Sequence, residues 1–199
     1  MNTFLKSTFL AGFLLISASL MSKDRDFSIS LGTVNAKTIN FEISNAKNVS
    51  LFVYNDIDGE IFSEKLNAVN VISKSYDLKE LSTGTYYLVA ESEGKVEKYR
   101  ISINKDNVME VDKTPVSVIN KPEYTISGNF VKLHMSEVKK PVAISVTDFA
   151  DNNYYTATKQ SDNGEVNVTF DLDRNTSQNY VIRVEDENGN VFNKIISLK

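Results

Sequence analysis

Apolar and polar residues alternate along most of the chain, from Phe27 to Leu198. An apolar residue at every second position lies on one face of a β-strand, so each alternating run predicts a strand with one buried face. Gly, Asn and Asp clusters separate the runs every 8–12 residues or so, as in a β-sandwich or barrel. No stretch after the N-terminal segment shows the 3.6-residue repeat of an amphipathic helix. The clearest runs are Ile39-Phe41-Ile43, Val49-Leu51-Val53, Tyr86-Leu88-Ala90 and Tyr99-Ile101-Ile103.

The series of runs occurs twice, at an offset of 92 to 95 residues. A repeat of that length is a duplicated domain rather than a solenoid unit. The pattern therefore predicts an all-β protein with two tandem immunoglobulin-like antiparallel β-sandwich domains, at residues 24–106 and 116–199, joined by a linker at 107–115. The segments that match are Ile39–Ile43 with Val131–Met135, Leu51–Val53 with Ile144–Val146, Tyr76–Leu78 with Phe170–Leu172, and Tyr86–Ala90 with Tyr180–Val184.

Two tyrosines and four glycines are predicted to be structural. Tyr86 and Tyr180 open the penultimate strand of each copy, where a tyrosine of immunoglobulin-like sandwiches hydrogen-bonds back to the preceding corner. Glycines tolerate the backbone conformations of tight turns. The predicted turn glycines are Gly59, Gly84, Gly94 and Gly189.

Residues 1–22 are predicted to be a secretory signal peptide. Lys6 precedes an apolar run from Phe9 to Ile16, and small residues follow at Ser17-Ala18-Ser19. That order is typical of a cleaved export signal, and the apolar run is shorter than the roughly 20 residues that span a bilayer. We therefore expect an exported protein, in the periplasm or at the cell surface, with no transmembrane segment in its mature chain.

Composition narrows the classes of partner. The formal net charge is −4, and no clustered basic surface of the kind that binds nucleic acid is evident. The chain has no Cys, which excludes disulfides and thiolate metal sites. We therefore predict no nucleic-acid partner, and stability that comes from packed apolar faces.

Candidate chemistry is sparse. His134 is the only histidine and alternates with apolar residues in a predicted strand, so a surface position is favoured over a catalytic or metal-binding one. A calcium site could be formed by acidic residues at the domain junction or in the last hairpin, although such carboxylates are usually only solvated. We predict no cofactor and no catalysis. The acidic candidates are Glu110, Asp112, Glu185, Asp186 and Glu187.

The segment Leu81-Ser82-Thr83-Gly84-Thr85-Tyr86-Tyr87-Leu88 carries the pattern Leu-Ser-x-Gly-x-Tyr-x-Leu. With the Asp58-Gly59 turn and the final strand after Gly189, it resembles the C-terminal sorting domains of Bacteroidetes type IX secretion cargo. It also resembles small exported immunoglobulin-like domains of the same bacteria. The resemblance implies a sandwich fold for both copies and a sorting role for the second.

The sequence leaves three functions open. The first is a non-catalytic exported protein that binds another protein through its sandwich faces or sheet edges, which can accept an added strand. The second is a secretion-related protein whose C-terminal domain is a sorting signal. The third is a glycan-binding or glycan-active module, which the absence of Trp disfavours.

Overall fold

The computed structural model describes residues 26–67 and 70–198, and these form strands, turns and loops without any helix. The predicted signal peptide, residues 1–22, lies outside the described residues. The all-β prediction is confirmed. The strands fall into two successive units of the same design, each with two antiparallel sheets.

The first unit packs a three-stranded sheet against a larger one. The strands of the first sheet lie in the order β1-β2-β5, and those of the second in the order β4-β3-β6-β7, with β8 and β9 both paired to the outer edge of β7. The strand bounds are β1 Ser28–Asn35, β2 Thr38–Ser44, β3 Val49–Asn55, β4 Gly59–Leu66, β5 Ile72–Asp77, β6 Gly84–Glu91, β7 Lys95–Ile103, β8 Met109–Val111 and β9 Ser117–Asn120.

The second unit repeats this topology. Its sheets have the orders β10-β11-β14 and β13-β12-β15-β16. Strand by strand, these orders match β1-β2-β5 and β4-β3-β6-β7, which is the arrangement of a seven-stranded immunoglobulin-like sandwich. The bounds are β10 Glu123–Ser127, β11 Phe130–Met135, β12 Val142–Asp148, β13 Asn153–Lys159, β14 Val166–Asp171, β15 Asn179–Glu185 and β16 Val191–Ser197.

Each unit has a hydrophobic core of its own, formed by the inward faces of its two sheets. Strand β3 alternates buried and half-buried side chains along its whole length, as the sequence pattern predicts, and β12 alternates as well. The completely buried residues include Ile43, Leu51 and Leu88 in the first core and Val131, Ile182 and Ile196 in the second.

The boundary between the units differs from the predicted linker at 107–115. Strand β8, at Met109–Val111, lies inside that range and pairs with Ile101–Ile103 of β7. Strand β9, at Ser117–Asn120, pairs with Lys95–Lys98, although the prediction assigned it to the second domain. Both segments form hydrogen bonds with backbone groups along the edge of β7, which would otherwise face solvent.

Only two residues, Lys121 and Pro122, connect the units. The backbone N–H of Lys121 donates to Gly94 O at 2.7 Å, and its Nζ donates to Ser92 O at 2.8 Å and to Glu91. Strand β10 follows at Glu123 and pairs within the second unit. The first unit therefore extends to Asn120, and the second begins at Glu123.

Candidate functional site

Four apolar or aromatic side chains lie together on the outer face of the first unit's larger sheet. Phe52 and Tyr54 of β3 pair across the strands with Val89 and Tyr87 of β6. Their neighbours in sequence point inward and are buried, whereas these four are half-buried and face outward. We call this set, Phe52, Tyr54, Tyr87 and Val89, the aromatic face.

A lysine lies over the two tyrosines of the aromatic face. The rings of Tyr54 and Tyr87 have centroids 5.3 Å apart and an interplanar angle of 32°. Lys98 Nζ, from β7, lies 3.6 Å from the Tyr87 centroid and 4.9 Å from that of Tyr54. An ammonium at these distances is attracted to the electron-rich ring faces. The contact places a positive charge over the tyrosine rings of the aromatic face.

A hollow of about 260 Å³ adjoins the aromatic face at the β3–β4 turn. Its walls are Phe52, Tyr54, Val89, Glu60 and Gly59. The Gly59 backbone is left-handed, with φ +75°, a conformation that favours glycine. The predicted turn glycine therefore shapes the rim of this hollow.

The equivalent positions of the second unit carry no aromatic side chain. The repeat offset aligns Phe52 with Ser145, Tyr54 with Thr147, Tyr87 with Val181 and Val89 with Arg183. The strand registers confirm these equivalences, since Ser145 pairs with Arg183 and Thr147 with Val181. The same backbone therefore folds with either set of side chains, and the fold does not require aromatic residues on this face.

Both predicted corner tyrosines make their hydrogen bonds. Tyr86 Oη donates to Ser82 O at 3.0 Å, and Tyr180 Oη donates to Asp173 O at 2.6 Å. Both side chains are buried, with 5% and 1% of their surface exposed. Burial is the main cause that raises the pKa of Tyr180 above its ordinary value. The two residues fix the loop before β6 and the loop before β15.

The other predicted turn glycines differ in their roles. Gly189 is left-handed, with φ +79°. A Cβ at Gly94 would lie 2.5 Å from Asp26 Oδ2, the end of a flexible side chain, so a larger residue there would have to displace the Asp26 carboxylate. Gly84 has no left-handed backbone, and a Cβ there would make only ordinary contacts with the Tyr86 ring. Gly84, at the end of the predicted turn, is the first residue of strand β6 and does not use the left-handed backbone that glycine permits.

The acidic calcium candidates do not converge. Asp112 pairs with Arg100 at 2.8 Å, and Glu185 pairs with Arg183 at 2.9 Å. Asp186 accepts bonds from the backbone N–H groups of Asn188 and Asn190, and so closes the last hairpin. The two remaining candidates, Glu110 and Glu187, have exposed side chains. In the described part of the chain, no three His, Asp or Glu residues are grouped as metal ligands.

His134 lies on β11 opposite Asn167 of β14, and its Nδ1 is 2.9 Å from Asn167 Oδ1. It is half-buried, between the buried residues Leu133 and Met135. The structure thus places the histidine in a cross-strand polar pair on the outer face of its sheet.

No family model matches this chain, and neither does any curated protein. Among solved structures, the BSP domain of a biofilm-associated protein is similar over 87% of this chain, at 15% identity and a TM-score of 0.29. A tetra-tandem repeat from the extending region of a large adhesion protein is similar over 87%, at 18% identity and a TM-score of 0.25. A β-glucuronidase from Ruminococcus gnavus is similar over 86%, at 13% identity and a TM-score of 0.26.

The chain spans 29%, 49% and 35% of the lengths of those three proteins. Within residues 26–67 and 70–198, no helix is long and apolar enough to cross a membrane.

Proposed function

We propose that this chain is an exported, non-catalytic β-sandwich protein of the periplasm or cell surface, and that its first unit binds a protein partner through the aromatic face. The observation that carries the proposal is the difference between the two outer faces. Phe52, Tyr54 and Tyr87 lie where the second unit has Ser145, Thr147 and Val181.

The outer face of a sandwich sheet normally meets solvent and is polar. Aromatic side chains are enriched at protein interfaces, because they bury a large area at a small entropy cost and tyrosine keeps a polar end. Lys98 lies over the tyrosine rings, and the ion pair of Arg100 with Asp112 borders the face. An apolar centre with a charged margin is the anatomy of a protein-binding surface.

The test replaces the aromatic face with the residues of the second unit: Phe52→Ser, Tyr54→Thr, Tyr87→Val and Val89→Arg. Wild-type and variant proteins are used to capture partners from the envelope fraction of the native cells. We expect a partner that the wild type retains and the variant loses, since the variant should still fold. Arg183→Ala, on the second unit, is the matched control and should retain the partner.

A partner that binds all three proteins equally would contradict the proposal. If the wild type instead binds purified glycans and the face variant does not, the face is a glycan-binding surface. The same preparations therefore separate the two classes of ligand.

Export is tested separately. The small residues at 17–19 predict that the mature protein begins between about residues 20 and 25. Sequencing the N-terminus of the folded protein from native cells should find that start. Met1 at the N-terminus of the soluble protein would contradict export.

A sorting signal in the second unit is the other candidate. It is favoured by the completeness of that unit, which has its own core and begins at Glu123. A periplasmic reporter fused ahead of residues 121–199 would reach the cell surface through type IX machinery if the signal is there. We expect retention in the periplasm, and surface delivery that depends on the machinery would make sorting the primary function.

A further inference from the structure

The two units meet through equivalent ends of their sandwiches. In the first unit, the start of β1 lies beside the turn between β6 and β7, because Asp26 Oδ2 accepts a hydrogen bond from Ser92 Oγ at 2.9 Å. Strand β9 runs antiparallel to β7 and ends with Asn120 opposite Lys95, at that same end. The second unit then begins with β10, which is the equivalent of β1. The chain therefore passes from the β1 end of one sandwich to the β10 end of the other.

Strand β9 is the element that brings the chain to this end. A seven-stranded sandwich of this topology begins and finishes at opposite ends, as the second unit does between the start of β10 and the end of β16. In the first unit, β7 likewise runs away from the β1 end, and β9 returns along its outer edge. Among the described strands of the second unit, β9 has no counterpart. It therefore serves the junction rather than the sandwich fold.

Lys121 is fixed to the first unit at both its backbone and its side chain. Its backbone N–H donates to Gly94 O at 2.7 Å and so continues the pairing of β9 with β7. Its ammonium donates to Ser92 O at 2.8 Å and forms an ion pair with Glu91. Hydrogen bonds from a charged donor are stronger than those between neutral groups. The first residue of the connection therefore belongs structurally to the first unit.

Pro122 restricts the rest of the connection. The proline ring fixes its own φ near about −65° and disfavours the helical region for the residue before it. Pro122 is buried, and β10 begins with the next residue, Glu123. Few backbone torsions are therefore left free between the last residue that pairs with the first unit and the first residue that pairs within the second.

Two polar contacts join the units beside this connection. Asn120 Nδ2 donates to Glu137 Oε2, in the loop between β11 and β12, at 2.9 Å. Lys194 Nζ, on β16, lies 3.4 Å from Glu93 Oε1, in the turn between β6 and β7. The Glu93 side chain is 92% exposed, and ion pairs in such positions contribute little. These contacts supplement the restraint that Lys121 and Pro122 impose.

Domains that share a small polar interface ordinarily move relative to each other. Here the restraint comes from the connection itself, which is short, hydrogen-bonded and contains a proline. The two hydrophobic cores stay separate, so each unit keeps its own stability. The orientation of the units can thus be fixed although their stabilities are independent.

We propose that β9, Lys121 and Pro122 form a junction clamp that holds the two units in one relative orientation through their equivalent ends. Strand β9 positions the connection, the Lys121 ammonium fastens it to the turn between β6 and β7, and Pro122 limits rotation. The outward surfaces of the two units consequently keep a constant relation to each other, and an exported chain presents them as one body.

The test measures the distance between the two units by double electron–electron resonance on the whole mature protein. The chain has no Cys, so Asp106→Cys and Asn175→Cys supply the only two sites for nitroxide labels. Both residues are exposed and lie at the far ends of their units, in the loops before β8 and before β15. We expect a single, narrow distance distribution, because the clamp permits one orientation.

Two variants release the clamp in different ways. Lys121→Met removes the ammonium and keeps the backbone N–H, and Pro122→Gly frees the backbone torsions. Each should broaden the distance distribution by about twofold or more, since motion between the units then becomes free. Lys194→Gln should broaden it least, because it removes only an exposed ion pair. Lys140→Met, which replaces an exposed lysine of the second unit, is the matched control and should leave the width unchanged.

Thermal denaturation of each variant should retain the transitions of both units, which shows that a broadened distribution reflects orientation and not unfolding. A broad distribution in the wild type would overturn the proposal. A narrow distribution that neither Lys121→Met nor Pro122→Gly broadens would overturn it as well, because the orientation would then be held elsewhere. The capture of a partner by the aromatic face uses other residues, so the two proposals can fail independently.

Discussion

The two units of this protein share their interior and differ on their surfaces. Tyr86 and Tyr180 make equivalent corner bonds, and Leu88 and Ile182 occupy equivalent core positions without solvent exposure. Outside the core, the first unit has an aromatic face and an ion pair of Glu64 with Lys74. The second unit has no aromatic residue at the positions of that face, and Ala157 and Val168 take the place of the ion pair. Packing constrains the inward positions in both units. The outward positions are free of that constraint. Because the second unit folds without aromatic residues at the equivalent outward positions, we attribute those of the first unit to binding rather than to folding.

The largest expected effect tests whether the two cores are independent. Leu88→Ala should destabilise the first unit, and Ile182→Ala the second, each by about 2–5 kcal/mol, because each leaves a cavity in a closely packed core. Calorimetry of the whole mature chain should show one transition shifted downward and the other unmoved. If each substitution shifts both transitions equally, the two units unfold as one body.

The next prediction tests where the first unit ends. A fragment of residues 26–121 contains β8 and β9, and a fragment of residues 26–106 lacks both. Met109 on β8 is buried against the first core, so its loss alone should cost about 1.5–3 kcal/mol. Urea denaturation should therefore find the longer fragment more stable. Equal urea midpoints for the two fragments would show that β8 and β9 do not stabilise the first unit, as expected if residues 107–115 are a linker.

A smaller effect is expected at the tyrosine corners. Tyr86→Phe and Tyr180→Phe each remove one hydroxyl that bonds to a backbone carbonyl. Each should cost about 1 kcal/mol, the net contribution of one such bond. Thermal denaturation should show a downward shift limited to the unit that carries the substitution. A neutral result at either position would mean that solvent satisfies the freed carbonyl without loss.

The smallest predicted difference concerns two equivalent hairpins, closed by Asn55 in the first unit and Asp148 in the second. Asp148 accepts bonds from Asn152, Tyr154 and the Ala150 backbone, with the Asn152 side chain as the largest cause, and these hold its pKa at about 2. A carboxyl whose pKa is lowered by folding stabilises the folded state above its unfolded pKa of about 4 and loses that contribution as the pH falls towards 2.

Asp148→Asn should therefore reduce the loss of stability of the second unit between about pH 4 and pH 2, relative to its own stability at neutral pH. Asn55 has no proton to gain, so the equivalent hairpin of the first unit should add no such dependence. Melting the wild type and the variant in this pH range measures the difference. An identical pH profile for both proteins would show that Asp148 does not set it.

The sequence predicted the strands and the duplication because buried positions alternate regularly along each strand. It misplaced the boundary because β8 and β9 are short, follow polar residues and a proline, and find their partner strand through long-range pairing. The aromatic face is formed by residues that lie between core positions along their strands. The alternation predicts that these residues point outward but does not predict what they bind. They are Phe52, Tyr54, Tyr87 and Val89. A comparison of those positions between the two copies of the repeat would have indicated the aromatic face.

The pairing of Glu64 with Lys74 could not be predicted from the sequence in the same way. Glu64 and Lys74 belong to different sheets, since the chain crosses from one to the other between β4 and β5. Spacing along the chain does not show that such residues face each other across a sandwich. Once the registers are known, their equivalence to Ala157 and Val168 shows that the ion pair has no counterpart at the same positions of the second unit.

The central claim, that the aromatic face of the first unit binds a protein, is tested most directly by site-specific photocrosslinking in the native cells. A photoreactive phenylalanine analogue is placed at Tyr87 in one strain and at the equivalent Val181 in another. The account predicts a crosslinked protein adduct of defined mass from position 87 and none from position 181. Adducts of equal yield from both positions, or from position 181 alone, would contradict it.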